Sequence, residues 1–300
     1  MLCSIVIPTR GRPGQLAGCL EALTALEYPR DQFEVIVVDD GGNTAIEPLR
    51  RFERSIDLSV ISQAHSGPAA ARNLGVARAR GELLLFIDDD CRPAPSWLQR
   101  LVDRATENPG SAVGGRTLNG VERNLFSHAS QLIVEVGYAQ NNPDPGSASW
   151  FACNNLALPA SGFRAIGGFD PRFRTAEDSE LCDRWRMHGY RMVYALDAVV
   201  FHHHALGSRS FCRQHFQNGR GLFHYRSAYR RRRDARARIE PSYYLALAGA
   251  ALQAERGMRR LGLLACVLLA QAVNAFGFLY EWQRQGRDGR PERSLHATSP

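Results

Sequence analysis

Short apolar runs alternate with amphipathic segments through the first 90 residues of the chain. The segments between the runs place apolar residues at helical spacing, as in Leu16, Leu20, Leu23 and Leu26. An alternation of strand and helix predicts a mostly parallel, Rossmann-like α/β sheet with helices on both faces. The four runs that predict strands are Cys3 to Ile7, Phe33 to Val38, Leu58 to Ser62 and Leu83 to Ile87.

Two further helices are predicted between these strands. Thr44 to Phe52 is expected to form the first. Ser66-Gly67-Pro68 has the form of a helix start, with Ser66 as N-cap, and opens a helix from Ala69 to Arg80 that Gly81 ends.

Carboxylates stand where two of the strands should end. Asp39 and Asp40 follow the second strand, and Asp88, Asp89 and Asp90 follow the fourth. In open α/β sheets, ligands bind beyond the carboxyl ends of the strands. Asp88 and Asp90 alternate along an extended chain, so they should point to the same side and address one divalent cation. An acidic turn that merely stops the strand is the alternative.

Composition removes several classes of protein. All 37 basic residues are arginine, which excludes lysine-based chemistry. Seven scattered cysteines without a C-x-x-C motif argue for a reducing compartment and against a zinc site or a disulfide framework. Neither a P-loop nor a dinucleotide-binding glycine motif is present, and the first eight residues lack the features of a signal peptide.

A second candidate centre lies between Thr175 and Gly189. This stretch predicts a helix with Thr175 as N-cap and Gly189 at the C-cap. Asp178 then lies in the first turn, where a carboxylate either caps the helix or is held as an anion that can accept a proton. Both interpretations are open from the sequence.

The C-terminal third differs in charge. Residues 209 to 293 contain 17 arginines and six acidic residues, with an arginine run from Arg226 to Arg238. The apolar segments Tyr243 to Leu252 and Leu261 to Tyr280 follow; the second has 20 residues without a charge. An interfacial helix or a helical hairpin at an anionic membrane surface suits this pattern better than a simple span, and packing onto the preceding α/β domain is the remaining option.

An ordered set of motifs runs through residues 1 to 220. The motifs are Val6-Ile-Pro-Thr-Arg10, Val37-Val-Asp-Asp-Gly41, Gly67-Pro-Ala-Ala-Ala-Arg-Asn-Leu-Gly75, Phe86-Ile-Asp-Asp-Asp90, Asn154-Asn-Leu-Ala157, Gly167-Gly-Phe-Asp170 and Glu177-Asp178. This ordered set resembles the family 2 glycosyltransferases of the GT-A fold. The resemblance implies metal-assisted transfer of a sugar from a nucleotide-diphosphate sugar to an acceptor hydroxyl, with inversion. Arg184-Trp185 follows too closely to be the separate Q-x-x-R-W of processive synthases, so a single transfer per binding event is expected.

The resemblance also implies roles for particular residues. Asp178 would be the general base. A Mn²⁺ or Mg²⁺ ion would be held by Asp88, Asp90 and His202, the last following a predicted strand from Val199; His204 and a simple surface histidine cluster are alternatives. The nucleotide would contact Pro8, Thr9, Arg10, Asp39, Arg72, Asp88 and Asp89.

These expectations divide the chain into three parts. Residues 1–222 would form the catalytic domain (1–90 nucleotide-binding, 91–222 acceptor-side), 223–285 a basic and apolar helical membrane-associated extension, and 286–300 a disordered tail. The expected partners are a glycan or lipid-linked acceptor and the cytoplasmic face of the cell membrane, in cell-surface polysaccharide or glycolipid synthesis. A nucleotidyltransferase would need a glycine-rich, lysine-containing loop, and a nucleic-acid-binding protein would need aromatics among the arginines; both features are absent.

Overall fold

An eight-stranded sheet forms the centre of the protein, seen in a computed structural model that describes residues 1–42, 47–121, 123–233 and 241–287. The strand order is β3-β2-β1-β4-β7-β6-β8-β5. The first four of these strands are parallel, which confirms the predicted α/β sheet. The strands are β1 (Cys3–Thr9), β2 (Phe33–Asp40), β3 (Asp57–Gln63), β4 (Leu83–Phe86), β5 (Cys91–Pro93), β6 (Ala112–Asn119), β7 (Leu156–Pro159) and β8 (Met192–His202).

Antiparallel pairs in the second half of the sheet come from β7 and β5. β7 lies antiparallel between β4 and β6, and β5 pairs antiparallel with the end of β8. The β5–β8 register aligns Cys91 with His202, which brings the aspartate cluster against the histidines.

Helices cover both faces of the sheet and form a separate group at the C-terminal end. They are α1 (Pro13–Thr24), α2 (Pro68–Arg78), α3 (Trp97–Glu107), α4 (Leu125–Asn141), α5 (Ala160–Ala165), α6 (Glu177–Met187), α7 (Ser208–Arg233), α8 (Pro241–Ala254) and α9 (Gly257–Arg287). Gly67 rather than Ser66 is the N-cap of α2, and Ala79 rather than Gly81 ends it. The helix predicted over Thr44 to Phe52 is a 3₁₀ helix over Glu47–Arg54 in its described part, and residues 43–46 lie outside the described residues.

Apolar side chains from the two faces of the sheet form two separate cores. Leu16 and Leu20 of α1 and Trp97 of α3 pack on one face. Phe163 of α5 and Trp185 of α6 pack on the other. Burial of this apolar surface is the main term stabilising the fold.

A third core joins α4, α7, α8 and α9. Leu263, Val267 and Ala270 of α9 are buried in it, at the i, i+4, i+7 spacing of one helix face. The opposite face carries Leu261, Leu268, Phe276 and Leu279 at the surface, each at least half exposed. Residues 257–285 are long and apolar enough to cross a membrane by length and composition, while this packing places α9 partly against the catalytic domain.

α7 and α9 touch backbone to backbone. A Cβ atom at Gly219 of α7 would overlap the carbonyl oxygen of Asn274, and one at Gly277 of α9 would overlap that of Phe216. The two helices therefore approach as closely as their main chains allow. α7 is also continuous through residue 222, where the boundary of the catalytic domain is predicted.

The arginine run ends α7 and partly serves internal contacts. Arg232 contacts Glu180 and Asp183 of α6, and Arg233 donates to Asp183 Oδ1 at 2.9 Å. Arg232 is thus partly buried against α6, whereas Arg233 binds α6 and stays exposed at the surface. Residues 234–240 and 288–300, including the end of the run and most of the predicted tail, lie outside the described residues.

Candidate active site

The carboxyl ends of β1 and β2 place four of the predicted nucleotide-site residues together. Pro8 and Thr9 stand opposite Val38 and Asp39 in the parallel register. Asp39 is buried and accepts a hydrogen bond from the backbone N–H of Gly42 at 2.9 Å. Arg10 follows at the exposed edge, 3.3 Å from His65 Nε2. The predicted edge is thus present, with a carboxylate beside a main-chain turn.

Asp40 holds the loop before α2 in place. Its oxygens accept hydrogen bonds from Gln63 Nε2 and from the backbone N–H groups of Ser66 and Gly67, and contact His65 Nδ1 at 2.7 Å. Burial opposes ionisation, but these hydrogen bonds prevail and lower the pKa of Asp40. Asp40 is therefore a turn residue in this structure.

Asp88, Asp89 and Asp90 lie in a turn. β4 ends at Phe86, and Cys91 N donates to Asp88 O at 3.0 Å. The prediction that Asp88 and Asp90 point to one side of an extended strand is therefore wrong. Asp88 meets Arg72 of α2, whereas Asp90 meets His202 of β8 at 3.2 Å.

Arg12 is a site residue that the sequence reasoning missed. Its guanidinium contacts Asp89 Oδ1 at 2.5 Å and donates to Asp90 Oδ2 at 2.9 Å. Thr9 Oγ1 donates to Asp89 at 2.6 Å, so Asp89 is wholly buried between the first strand and Arg12. Burial raises the pKa of Asp89 to about 7 despite the charge of Arg12. Asp89 thus holds the turn against β1 and Arg12, and its carboxylate is not exposed to a ligand.

Arg72 links the two predicted centres. It lies inside α2, buried, and donates to Asp88 Oδ1 at 2.8 Å and to Glu177 Oε1 at 2.7 Å. Its Nε is buried and has no hydrogen-bond partner in the described part of the chain. It is therefore a buried bridge between the turn after β4 and the start of α6.

Asn73, the next residue of the same motif, fixes the loop that precedes α6. Its amide donates to Phe169 O at 2.8 Å and accepts from Phe169 N at 2.9 Å. This two-way bond explains why an asparagine follows the arginine in the motif. It positions the Gly167-Gly-Phe-Asp170 loop and the start of α6 against α2.

α6 does not begin as predicted. Its N-cap is Ala176, the one described non-glycine residue in the left-handed region, with φ of 62° and no side-chain cap bond. Thr175 instead donates to Gln217 O of α7 at 3.0 Å. The capping box centred on Thr175 is therefore absent, and backbone strain lies directly before Glu177 and Asp178.

Asp178 is half-buried and only partly bonded. Ser179 N and Oγ donate to Oδ1 at 2.7 and 3.3 Å, and within the described residues no hydrogen bond reaches Oδ2. Desolvation, followed by the like charge of Glu177, raises the pKa of Asp178 to about 7. This direction is opposite to the one predicted from the helix terminus. A carboxylate with a pKa near neutrality suits a general base better than a strongly acidic one does.

A possible metal-binding group lies at the Asp90 turn. In the described chain, ligand atoms of Asp90, Cys91 and His202 lie within 4.8 Å of one another, and Asp88 is not in this group. Burial raises the pKa of Cys91 well above its usual value, so its thiol stays protonated and is a poor ligand. Burial also lowers the pKa of His204, stacked on His202, to about 4, which keeps that ring neutral. Asp90 and His202 together fit a cation that completes its shell with phosphate or water oxygens.

One cavity lies away from these residues. About 580 Å³ in volume, it lies between α4 and the β6–β8 strands and is lined by Arg116, Glu135, Tyr138 and Tyr194, among others. It contains none of the predicted site residues.

Asn155 holds the neighbouring β-bulge by donating to Arg116 O and Ala198 O, so the second asparagine of the Asn154-Asn155 motif is structural.

A mostly parallel α/β sheet with carboxylates at its strand ends is consistent with the family that sequence comparison finds. The profile described as Glycosyl transferase family 2 matches residues 4–171. The chain belongs to glycosyltransferase family 2.

Relatives of known name are similar over the same region. The pre-mycofactocin glycosyltransferase of Mycobacterium tuberculosis is 30% identical over 225 residues, covering 72% of this chain and 46% of that protein. Glycosyltransferase AglE of Haloferax volcanii is 35% identical over 207 residues, covering 66% of each. The chain thus spans about half the length of the first relative and about two thirds of the second.

Solved structures share the fold. The mannosyltransferase PcManGT from Pyrobaculum calidifontis, solved with GDP-Man and Mn²⁺, superposes with a TM-score of 0.65 at 20% identity, over 93% of this chain and 87% of that one. TarS 1–349 of S. aureus superposes with a TM-score of 0.55 at 15% identity, over 98% and 93%. These likenesses confirm the GT-A type fold.

Proposed function

We propose that this protein transfers a sugar from a nucleotide-diphosphate sugar to an acceptor hydroxyl with inversion, once per binding event. The observation that carries the proposal is the Arg72 bridge. It ties Asp88, on the nucleotide side, to Glu177, which directly precedes the candidate base Asp178. A donor held at the strand ends and an acceptor held at α6 would then meet at a fixed separation.

Asp178 supplies the proton chemistry in this proposal. Its Oδ2 takes the proton of the acceptor hydroxyl as that oxygen forms a bond to the anomeric carbon of the donor. The bond from that carbon to the nucleoside diphosphate breaks, and the diphosphate leaves with the electron pair. Attack from the face opposite the leaving group inverts the configuration. Burial, and after it the neighbouring charge of Glu177, raises the pKa of Asp178 and keeps this carboxylate basic enough for this step.

Pro8, Thr9, Arg10 and Asp39 are proposed to bind the nucleoside at the ends of β1 and β2. Asp90 and His202 would hold a Mn²⁺ or Mg²⁺ ion, with Asp88 on the ribose side. When bound, such an ion would offset the negative charge of the diphosphate. Mn²⁺ is favoured because an imidazole is one of the donors, and the Mn²⁺ complex of the PcManGT neighbour supports this choice.

The acceptor is proposed to be a glycan or a lipid-linked molecule at the cytoplasmic face of a membrane. The exposed apolar face of α9, with Leu268 and Phe276, supports an interfacial position. This face is on the side of α9 opposite its packing against α4 and α7.

The test is a donor screen on the full-length chain with UDP-, GDP- and dTDP-sugars. Hydrolysis or transfer is followed by NMR, which also gives the anomeric configuration of the product. We expect one donor class to be consumed and the product to be inverted. A retained configuration would rule out Asp178 as the base of a single displacement.

A further inference from the structure

A second cavity, of about 360 Å³, lies beside the start of the catalytic helix. It is formed by the 172–175 segment that leads into α6 and by the middle of α7. We call it the basic cavity, because Arg172, Arg174, Arg220 and His224 line it together with Thr175 and Gln217. Thr175 is only three residues before Asp178. The cavity therefore lies beside the start of the helix that carries the candidate base.

Positive charge exceeds negative charge around the basic cavity. Arg172 is paired with Asp170, and Arg220 with Glu281 of α9 at 2.6 Å. His224 lies 3.4 Å from the same glutamate. Arg174, by contrast, contacts the His65 ring at 3.4 Å and has no carboxylate partner within the described residues. At least one guanidinium is thus available for an anionic ligand.

An aromatic cluster adjoins the basic cavity at Arg220. Phe216, one residue before Gln217, packs against Phe276 and Tyr280 of α9 with ring centroids 5.8 and 5.5 Å apart. Phe276 and Tyr280 are 63% and 45% exposed. The Arg220 guanidinium lies 5.8 Å from the centre of the Tyr280 ring. A cationic pocket and an exposed apolar strip therefore adjoin.

We propose that the basic cavity binds the phosphate or diphosphate group of an amphiphilic acceptor, whose hydrocarbon chain lies along Phe276 and Tyr280. Arginine suits this task because its planar donors match phosphate oxygens in pairs. The cavity is lined by none of the strand-end residues assigned to the donor, such as Thr9 or Asp39. The proposal rests on the proposed glycosyl transfer and specifies the class of acceptor.

The test measures binding of farnesyl phosphate to the full chain by titration calorimetry below its micelle concentration. Glycerol phosphate serves as the free phosphate and farnesol as the neutral chain. We expect farnesyl phosphate to bind more tightly than either. Arg174→Gln should weaken it by about tenfold, the value of one charge-assisted hydrogen bond. Arg213→Gln, an exposed arginine on the same helix as Arg220, is the matched control and should leave binding unchanged.

Two further variants separate head from chain. The double variant Arg220→Gln with Glu281→Gln removes both charges of this pair together, so that buried Glu281 is not left as an unpaired anion. It should also weaken the binding of farnesyl phosphate. Phe276→Ser should weaken farnesyl phosphate and leave glycerol phosphate unaffected. Equal affinity of the wild-type protein for glycerol phosphate and farnesyl phosphate would contradict the proposal that the ligand is an amphiphile.

Donor binding provides the remaining distinction. If Arg174→Gln weakens a nucleotide sugar but not farnesyl phosphate, the cavity holds the donor diphosphate and the proposal fails. If the protein turns over a nucleotide sugar yet binds no farnesyl phosphate, this inference fails and the proposed function stands. If no nucleotide sugar is turned over while farnesyl phosphate binds through Arg174, the proposed function fails and the anion site remains.

Discussion

Arg72 and Glu177, 105 residues apart in the chain, are joined by a 2.7 Å hydrogen bond between Nη1 and Oε1. The other end of the guanidinium holds Asp88 at 2.8 Å. One buried side chain thus fixes the distance between a strand-end carboxylate and the helix that carries Asp178.

Arg72→Met should therefore damage both folding and activity. Removing the cation leaves Glu177 and Asp88 without their partner, and breaking a buried pair in this way costs about 3 kcal/mol of the free energy of unfolding. Urea denaturation measures this loss. Arg78→Met, at the other end of α2 and exposed, is the control and should be nearly neutral. A fully stable Arg72→Met variant would contradict the bridge.

Asp178→Asn should lower turnover at least about a hundredfold, because an amide cannot accept the proton. Donor binding, measured by calorimetry, should be nearly unchanged. Asp183→Asn on the same helix is the control: it loses contacts to Arg232 and Arg233, so it should lower stability while turnover per folded molecule holds. The reverse pattern between the two variants would remove Asp178 from catalysis.

The rate should rise with pH through about 7, since Asp178 must be deprotonated to act and its pKa is raised to about 7. Glu177→Gln removes the like charge, so the midpoint of kcat/KM should move to lower pH. The same raised pKa sets a linkage to stability. The folded state holds the proton more tightly than the unfolded one, so the contribution of Asp178 is greatest below about 4 and is lost as pH rises through about 7. A midpoint unchanged in Glu177→Gln would argue against Asp178 as the titrating group.

Asp90→Asn should abolish the protection that Mn²⁺ and a nucleoside diphosphate together give against thermal unfolding. The reason is that an amide oxygen is a weaker ligand for a hard cation than a carboxylate. Asp197→Asn, an exposed aspartate on the same strand as His202, is the matched control. Full activity in excess chelator would eliminate the metal from the proposal.

Polar substitutions on the exposed face of α9 should release the protein from anionic vesicles without unfolding it. Leu268→Gln and Phe276→Gln remove apolar area that is already at the surface. Val267→Ala on the buried face should show the opposite result, with a lower melting temperature and vesicle binding retained. If the protein with an intact exposed face of α9 does not cosediment with vesicles, this face of α9 does not bind membranes.

Sequence reasoning found what local patterns encode. The apolar runs located four parallel strands, with Asp39 and Asp88 near the ends of two of them, and the helical pattern located Asp178 in the first turn of α6. Contacts between distant segments were out of its reach. Nothing in the local sequence distinguishes Arg12 from any other arginine before a helix, and its role depends on the distant contact with Asp89. Asp90 contacts His202 only because β5 and β8 pair with Cys91 opposite His202. The direction of the Asp178 pKa depended on burial, which no spacing of residues reveals.

The close packing of α7 and α9 at Gly219 and Gly277 limits which acceptor hydroxyls Asp178 can contact. This close packing fixes the position of α9 along α7. Arg232 and Arg233 of α7 in turn form ion pairs with α6. If α9 rests on a bilayer, Asp178 is held at a constant distance from the membrane surface. Acceptor hydroxyls at that distance would be modified, and the same group on a longer or shorter spacer would pass untouched.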